Sequence, residues 1–159
     1  MITQRDFMKQ EILLKHKIGL RLSRAGMLSK TFAAQTFSKY GYMLTPEQFT
    51  VLNTLKENNG MYLRQLASVT LKDRPNITRI VTILESNEFV MSTLEAEGRQ
   101  VKKLYITQKG IDACDKLLPT VLEIWGLSIK GLEEKELDLF LNILDKIELN
   151  MKNNTVLQV

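Results

Sequence analysis

The chain has 159 residues, of which 44% are hydrophobic and 25% charged, so we expect one domain with a real core. Its single cysteine, Cys114, excludes an internal disulfide, and its apolar runs are too short to cross a bilayer. Because the N-terminus lacks an apolar signal segment, we expect a cytoplasmic protein with no membrane partner.

The basic charge is concentrated in the first two thirds of the chain. Residues 1–40 carry eight Lys/Arg and two Asp/Glu, and residues 41–110 carry nine and seven. Residues 111–159 carry five and nine, so the net charge of +4 conceals an acidic C-terminal end. This asymmetry suits a polyanion partner for the first two thirds. Solvated helix faces would give the same counts, so charge alone does not separate the two interpretations.

The first predicted element is a long helix over residues 6–39. Its apolar residues recur three or four positions apart, at Leu14, Ile18, Leu22, Ala25, Leu28 and Phe32. Gly41 follows, where a glycine often ends a helix. An amphipathic helix of this length needs another element or another chain to cover its apolar face.

A helix-turn-helix is predicted next. Thr45 caps a helix over residues 46–57, because a threonine hydroxyl accepts from backbone N–H groups at a helix start. A short helix over residues 63–69 precedes a turn, and Asp73 is a good N-cap for a third helix over residues 74–87. The apolar positions spaced for burial are Phe49, Leu52, Leu55, Leu63, Leu66, Ala67, Ile77, Ile80, Val81 and Leu84.

A basic hairpin is predicted after these helices. Its strands span residues 90–94 and 101–106, with Glu97 and Gly98 near the tip. A helix pair followed by a basic hairpin is typical of a winged helix-turn-helix, which places one helix in a DNA major groove and the hairpin, or wing, near the minor groove. The predicted fold class is therefore mainly α (α+β), a winged helix-turn-helix with long N- and C-terminal dimerisation helices.

Two more helices are predicted after the wing. Thr107 caps the first, Pro119 predicts a kink or local break within it, and Gly131 separates it from the second. Their apolar stripes are Ile111, Cys114, Leu118, Val121, Leu122 and Trp125 in the first and Leu137, Phe140, Leu141, Leu144 and Ile147 in the second. One small domain cannot cover the stripes of all three long helices, which favours a symmetric dimer over packing on the same subunit.

An ordered set of short motifs runs from residue 44 to the start of the last predicted helix. The motifs are Leu44-Thr45-Pro46-Glu47-Gln48-Phe49, Val51-Leu52, Gly60, Leu66-Ala67, Asn76-Ile77-Thr78-Arg79-Ile80-Val81, Leu84-Glu85, Phe89-Val90, Leu104-Tyr105-Ile106-Thr107-Gln108-Lys109-Gly110 and Leu132-Glu133-Glu134-Lys135-Glu136-Leu137. In this order and spacing they resemble the MarR family of bacterial transcription regulators. The resemblance implies a homodimer, more often a repressor, whose two winged domains straddle a pseudo-palindromic operator in double-stranded DNA. It also implies a small-molecule or redox signal that shifts DNA affinity.

The predicted elements and the resemblance divide the chain into four segments. Residues 1–40 form an N-terminal dimerisation helix, and residues 41–110 form the winged helix-turn-helix DNA-binding domain. Residues 111–150 complete the dimerisation region, and residues 151–159 are predicted to be a disordered tail.

The front of the helix after the turn, the expected recognition helix, carries residues suited to DNA contact. Asn76 and Arg74 are assigned to base edges, because asparagine pairs with adenine and arginine with guanine. Thr78 and Arg79 are assigned to the DNA backbone, and Pro75 lies beside them in the first turn. In the competing interpretation, Arg79 makes only intramolecular ion pairs and Pro75 only starts the helix.

Arg64 on the preceding helix and two wing residues complete the predicted DNA-binding set. Arg64, with Gln65 beside it, is expected to contact a phosphate. Arg99 is expected to enter the minor groove and Lys102 to contact a phosphate. Because Lys102 and Lys103 point to opposite faces of a strand, only one of them is expected to touch DNA. A solvated hairpin is the competing interpretation.

The wing departs from the family pattern. The family's usual Asp and Arg beside the wing tip are replaced by Gly98 and Gln100, and its usual glycine before the first wing strand by Glu88. Glu95 and Glu97 would also repel phosphates. These departures keep an alternative open, in which the protein is a winged-helix dimer that acts as a protein-interaction module with weak or lost DNA binding.

Catalytic and metal sites find little support in the composition. His16 is the only histidine, so metal sites and catalytic triads that need further histidines are excluded. Cys114 falls on the inner stripe of its helix, which indicates a buried structural thiol and not a redox sensor. There is no glycine-rich phosphate loop. We therefore expect no cofactor, no metal and no enzymatic activity; an enzyme would have to depend on His16.

Overall fold

The computed structural model describes residues 4–97 and 99–155. Side chains are described there except at residues 4–7, 9, 95–97 and 99–101. Within this part of the chain there are six helices and a three-stranded antiparallel sheet, and the chain divides into two compact units after residue 46. None of the described helices combines the length and the hydrophobicity needed to cross a membrane.

Helix α1, Gln4–Lys39, makes up most of the first unit. The turn that terminates the helix contains Gly41, which has φ +67°. The Gly41 N–H donates to the Ser38 carbonyl and the Tyr42 N–H to the Phe37 carbonyl, both at 3.1 Å. These two bonds form a Schellman motif, whose left-handed residue is most often glycine. The predicted long helix and its end at Gly41 are confirmed.

The helix-turn-helix consists of α2, Pro46–Glu57, α3, Leu63–Val69, and α4, Arg74–Ser86. Each has the predicted bounds to within one residue. Their buried apolar residues are Phe49, Val51, Leu52, Leu55, Leu66, Ala67, Ile77, Ile80, Val81 and Leu84. Of the positions predicted to be buried, only Leu63 is half-buried. The predicted core of the winged domain is therefore confirmed.

Strand β1, Met61–Tyr62, was not predicted from the sequence. It pairs antiparallel with a later strand, and the turn before it is tied to the same strand by Asn59, whose Oδ1 accepts from the Ile106 N–H at 3.0 Å. Gly60 has φ +80°, and a Cβ there would lie 3.1 Å from Cε1 of Tyr105. A glycine is therefore needed both for the backbone conformation and for the close approach.

The wing is formed by β2, Val90–Glu97, and β3, Arg99–Ile106. The sheet has the order β1-β3-β2, and the β2–β3 pairing extends as far as Glu97 opposite Arg99. Both strands are thus longer at the tip than predicted. Apolar alternation ends before the tip, but antiparallel pairing continues because it depends on backbone hydrogen bonds.

A second Schellman motif joins α4 to β2, with Glu88 as its left-handed residue at φ +62°. The Glu88 N–H donates to the Glu85 carbonyl and the Phe89 N–H to the Leu84 carbonyl, both at 2.9 Å. This conformation is costly for a residue with a Cβ and free of that cost for glycine. The geometry therefore accounts for the glycine that the MarR family usually has at this position.

Helix α5, Gln108–Ser128, begins at a cap formed by Thr107. The Thr107 hydroxyl accepts from the Gly110 N–H at 3.1 Å, as predicted, and the Thr107 N–H donates to the Phe89 carbonyl at 3.0 Å. The helix runs through Pro119, so the local break considered there does not occur. Proline removes one hydrogen bond, and the remaining bonds of this long helix keep it continuous.

Helix α6, Glu134–Asn153, follows a turn at Gly131, which has φ +89°. Its start is capped by the Glu136 carboxylate, which accepts from the Glu133 N–H at 2.8 Å. The helix includes the first three residues of the segment predicted as a tail. Residues 156–159 of that segment lie outside the described part of the chain.

The predicted stripe of α5 is only partly buried. Cys114 is buried as expected, and Leu117, Thr120 and Ile124 are buried with it. Other members of the stripe are exposed, in agreement with the expectation that one domain does not cover all of these stripes: Leu118, Leu122 and Trp125. In α6 no described residue is buried. Periodicity identified apolar faces correctly, but it could not say which of them the same chain would cover.

Candidate nucleic-acid interface

The start of α4 is held by a side-chain cap. The Asp73 carboxylate accepts from the Asn76 N–H at 2.8 Å, as predicted, and Pro75 lies in the first turn, where backbone N–H groups lack intrahelical acceptors. The inner face of α4 is buried in the winged domain. Arg74 and Thr78 therefore project from its outer face, and both are exposed.

Asn76 and Arg79 lie one helical turn apart on α4 and interact with each other. Nη2 of Arg79 donates to Oδ1 of Asn76 at 3.4 Å, and Arg79 is exposed. A hydrogen bond of this length is weak, so both groups can exchange it for contacts with a ligand. The structure thus places side by side the amide assigned to a base edge and the guanidinium assigned to the DNA backbone.

Thr78 and Thr82 form a ladder along the outer face of α4. The Thr78 hydroxyl donates to the Arg74 carbonyl at 2.7 Å, and the Thr82 hydroxyl donates to the Thr78 carbonyl at 2.9 Å. With its proton engaged, each hydroxyl can accept a hydrogen bond but cannot donate one to a phosphate. This arrangement favours a methyl contact for Thr78 over the predicted backbone contact. The i, i+4, i+8 spacing of Arg74, Thr78 and Thr82 could have identified Thr82 as a further member of this face.

On α3, Arg64 is exposed and Gln65 is used within the fold. The Gln65 side chain accepts from the Tyr62 N–H at 2.9 Å and so caps α3. Arg64 lies at an open cleft of about 710 Å³, lined by Asn58, Asn59, Gly60, Met61, Arg64, Gln65, Ser68 and Val69. Its guanidinium therefore remains accessible, as a phosphate contact requires.

The two wing lysines point to opposite faces of β3, as predicted, and each has an intramolecular partner. Nζ of Lys102 lies 2.6 Å from Oε2 of Glu85 on α4. Nζ of Lys103 lies 5.6 Å and 5.9 Å from the ring centroids of Tyr62 and Tyr105. The contacts with Glu85 and Tyr62 could not be read from strand alternation, because they join residues distant in sequence, whereas Tyr105 lies two positions from Lys103 on the same strand.

The tip of the wing lies largely outside the described side chains. β3 includes Arg99 and Gln100 as backbone, and Gly98 is not described at all. The predicted minor-groove role of Arg99, and the effect of the replacements at Gly98 and Gln100, therefore stay predictions.

Acidic side chains around α4 are engaged in intramolecular contacts. Asp73 caps the helix, Glu85 pairs with Lys102, and Glu47 of α2 lies 3.4 Å from Nζ of Lys72 in the turn before α4. Pairing reduces the repulsion that these carboxylates would exert on an approaching polyanion.

Cys114 lies away from this surface, buried in the core part of α5. Burial raises the pKa of its thiol to about 11, with Asp115 adding to the effect and Lys56 opposing it. The thiolate, which is the reactive form, is thus disfavoured. Among the described residues, no group of three or more His, Cys, Asp or Glu side chains could hold a metal ion.

Residues 44–97, which include the whole helix-turn-helix and β2, match the model of the MarR family. This segment is therefore similar to the MarR family. Over 136 residues the chain is 28% identical to the HTH-type transcriptional regulator MhqR of Bacillus subtilis (strain 168), an alignment that covers 86% of this chain and 92% of MhqR. The present protein is therefore a DNA-binding transcription regulator, as the winged helix and its motifs predicted.

Solved structures of regulators have the same fold. BpsR of Bordetella bronchiseptica, solved in a study of how 6-hydroxynicotinic acid regulates its DNA binding, superposes with a TM-score of 0.76 at 20% identity, covering 83% of this chain and 98% of BpsR. The transcriptional repressor CouR, bound to a 23-mer DNA duplex, superposes with a TM-score of 0.75 at 24% identity, covering 85% and 94%. At these identities the likeness establishes the winged-helix fold.

Proposed function

We propose that this regulator is a cytoplasmic homodimeric repressor that binds a pseudo-palindromic operator and is released from it by a small molecule. The observation that carries the proposal is the outer face of α4, where Arg74, Asn76, Thr78 and Arg79 stand on a helix whose inner face is fully packed. A rigidly held helix with such groups is suited to read a major groove.

Each member of this face has a role in the proposal. Arg74 and Asn76 contact base edges, and Arg79 contacts the DNA backbone beside Asn76. Pro75 keeps the start of α4 fixed between them. Thr78 contacts a thymine methyl group, because its hydroxyl is engaged with a backbone carbonyl.

The contacts outside α4 provide affinity without sequence preference. Arg64 contacts a phosphate from the accessible side of α3, and Arg99 enters the minor groove from the wing.

Thr82 extends the α4 face by one turn, so it meets the DNA last or not at all, depending on how far the helix enters the groove.

The dimer is supported by apolar side chains that the chain itself does not cover. On α6 the residues about half or more exposed include Leu139, Phe140, Leu141, Leu149 and Met151, and on α1 they include Ile12, Leu13, Leu14, Ile18 and Leu20. Monomeric proteins seldom leave apolar surface of this extent in water. We propose that a second copy of the chain covers residues 1–40 and 111–150, which places two recognition helices on one operator.

Repression and effector response are supported by the relatives. CouR is named a repressor, and BpsR is described as regulated by a small acid in its DNA binding. In this protein, a dimer on the operator would block polymerase. A ligand would relieve the block by binding more tightly to a dimer whose recognition helices no longer match successive major grooves.

Fluorescence anisotropy with DNA from upstream of the protein's own gene tests the DNA-binding roles. We expect tight, salt-dependent binding to this duplex and weak binding to a scrambled duplex. Asn76→Ala should lose about 1–3 kcal/mol on the operator only, whereas Arg99→Ala should weaken binding to every duplex and reduce the salt slope by about one. Lys116→Ala, an exposed lysine on α5, is the control for removing a charge elsewhere.

Equal losses on all duplexes for Asn76→Ala and Arg99→Ala would contradict the assigned roles. If the wild type bound no genomic fragment above the scrambled duplex, the protein-interaction module would become the better description. The departures at Gly98 and Gln100 would then be its explanation.

Sedimentation equilibrium tests the dimer. Phe140→Glu should weaken association by at least about tenfold, because it places a charge on the exposed apolar face of α6. Asn142→Glu is the matched control, since two residues along a helix turn the side chain by about 200° to the polar face. A wild type that stays monomeric at micromolar concentration would refute the proposed assembly.

A further inference from the structure

We propose that Glu85 is a positioning residue that, through Lys102, fixes the wing to the recognition helix, and that Lys102 is an anchor and not a phosphate contact. The inference rests on the proposed roles of α4 and the wing in DNA binding. Its basis is the ion pair between Nζ of Lys102 and Oε2 of Glu85, which lie 2.6 Å apart. The two side chains are 38% and 23% exposed, so the pair is partly withdrawn from water.

The pair lies at the end of the buried stretch of both β3 and α4. Lys102 is on the same face of β3 as Leu104 and Ile106, which are both buried, because alternate residues of a strand share a face. Glu85 follows the buried Val81 by one turn on the same face of α4. Each residue is thus the first polar position beyond the core along its own element, and the ion pair joins the two elements there.

In this position the pair can restrict the movement of the wing tip. Lys102 lies two residues, or about 7 Å, nearer to the tip than Leu104. The hairpin continues beyond it to Glu97 and Arg99. An isolated two-stranded ribbon is only marginally stable, so an attachment part-way along it limits how far the tip can swing. Fixing the tip relative to α4 lowers the cost of ordering the wing when DNA binds.

The positive charge of Lys102 is compensated by the carboxylate of Glu85. Its ammonium forms a charge-assisted hydrogen bond with Glu85, and contacting a phosphate would mean giving that bond up. On the other face, Lys103 lies against Tyr62 and Tyr105. Both wing lysines thus hold the hairpin to the rest of the domain, and the arginine at the tip is left as the DNA contact.

Removing each partner separates the anchor from a phosphate contact. If the pair is an anchor, Glu85→Ala and Lys102→Met should each weaken operator binding by about five- to tenfold. If Lys102 binds a phosphate, Glu85→Ala should instead tighten binding, because it frees the lysine and raises the net charge by one. Glu88→Ala, which removes the exposed partner of Lys109, is the control for the same change in net charge and should leave affinity within about twofold.

A charge reversal provides the second test. Lys102→Glu alone should weaken binding, and the double variant Glu85→Lys/Lys102→Glu should recover to within about threefold of the wild type with an unchanged salt slope. If the double variant stayed as weak as Lys102→Glu and lost about one unit of salt slope, Lys102 would be a phosphate contact and the inference would be wrong. Should the reversed pair unfold, as thermal melting would show, the comparison of Glu85→Ala with Lys102→Met decides.

Amide hydrogen exchange without DNA keeps the inference distinct from the proposed function. Glu85→Ala should speed exchange of the β2 and β3 amides beyond Lys102 by about tenfold, while those of α2 and α3 stay unchanged. Faster exchange in a protein that binds no operator would leave the anchor correct and the proposed function wrong. Unchanged exchange together with unchanged affinity would overturn the anchor even if operator binding is tight.

Discussion

Helices α4 and α6 are both amphipathic, yet only α4 has its apolar face covered by its own chain. On α4 the four residues of the predicted stripe are at most 2% exposed: Ile77, Ile80, Val81 and Leu84. On α6 none of the predicted stripe is buried, because Phe140 and Leu141 are 50% and 58% exposed and the other three members are half-buried: Leu137, Leu144 and Ile147. The same amphipathic pattern therefore forms the core of the winged domain in α4 and an apolar surface left uncovered by the chain in α6.

Helix α5 contains both situations in one element. One face is buried at Cys114, Leu117 and Ile124, whereas Leu118, Leu122 and Trp125 are exposed. The transition from internal packing to uncovered surface thus occurs within a single helix. Substitutions on the buried face test the internal packing, and those on the exposed face test what covers the helix.

The largest effect is expected in the core of α4. Leu84→Ala should lower the free energy of unfolding by about 2–5 kcal/mol, because Leu84 is fully buried and its removal leaves a cavity. Urea unfolding monitored by circular dichroism measures this loss. Thr82→Ala on the outer face is the control, and it should change the free energy of unfolding by no more than about 0.5 kcal/mol. A loss from Leu84→Ala no greater than the control would mean that α4 is not packed as described.

Substitutions at two glycines allow a packed site on α5 to be compared with an uncovered one. A Cβ at Gly110 would lie 2.3 Å from the Phe89 carbonyl oxygen and 2.7 Å from Cγ1 of Ile106, whereas nothing lies within 4 Å of a Cβ at Gly126. Gly110→Ala should therefore cost about 1–3 kcal/mol of stability. Gly126→Ala should gain up to about 1 kcal/mol, because alanine favours the helix. If Gly126→Ala destabilised the protein, another chain would approach α5 closely there.

A smaller gain is expected where α4 meets the wing. Glu88→Gly should raise the free energy of unfolding by about 1 kcal/mol, because it relieves the left-handed backbone at φ +62°. The loss of its exposed ion pair with Lys109 subtracts little. Thermal unfolding measures the gain, and Glu88→Ala, which keeps the Cβ, should not reproduce it.

A pH dependence is expected from the buried thiol of α5. Burial raises the pKa of Cys114 to about 11, so the folded thiol stays neutral where the unfolded thiol, at about 8.5, is ionised. A raised pKa adds stability below the unfolded value and loses it as the pH rises through the folded value. The wild type should therefore lose stability relative to Cys114→Ala between about pH 8.5 and 11 in urea titrations. Parallel stability curves would contradict the burial of the thiol.

The helix starts and the inner face of the helix-turn-helix could be predicted because their causes are local. Asp73, Thr107 and Glu133 begin their helices through bonds to residues three positions away, and that spacing is visible in the sequence. The candidate DNA-contact residues on α4 were found in the same way, from residue type and position on one helix. Thr82 was missed, although the same spacing contained it.

Other features could not be predicted because they join residues far apart in the chain. Strand β1 has two residues and exists through pairing with β3, supported by Asn59 and Ile106, which are 47 positions apart. Glu85 and Lys102 pair across 17 positions, so a lysine expected at a phosphate is held by the recognition helix. Such contacts depend on how the chain packs, which residue spacing does not encode.

By itself, the sequence determined which segments are helices, how they are capped, which faces are apolar and which family pattern the chain follows. These properties arise from interactions within a few residues, and the order of residue types specifies them directly. The tertiary structure decided which apolar faces the chain covers, which strand joins β3 and which residues the wing lysines contact. Burial and ion pairing depend on the distance between elements in space, and only packing sets that distance.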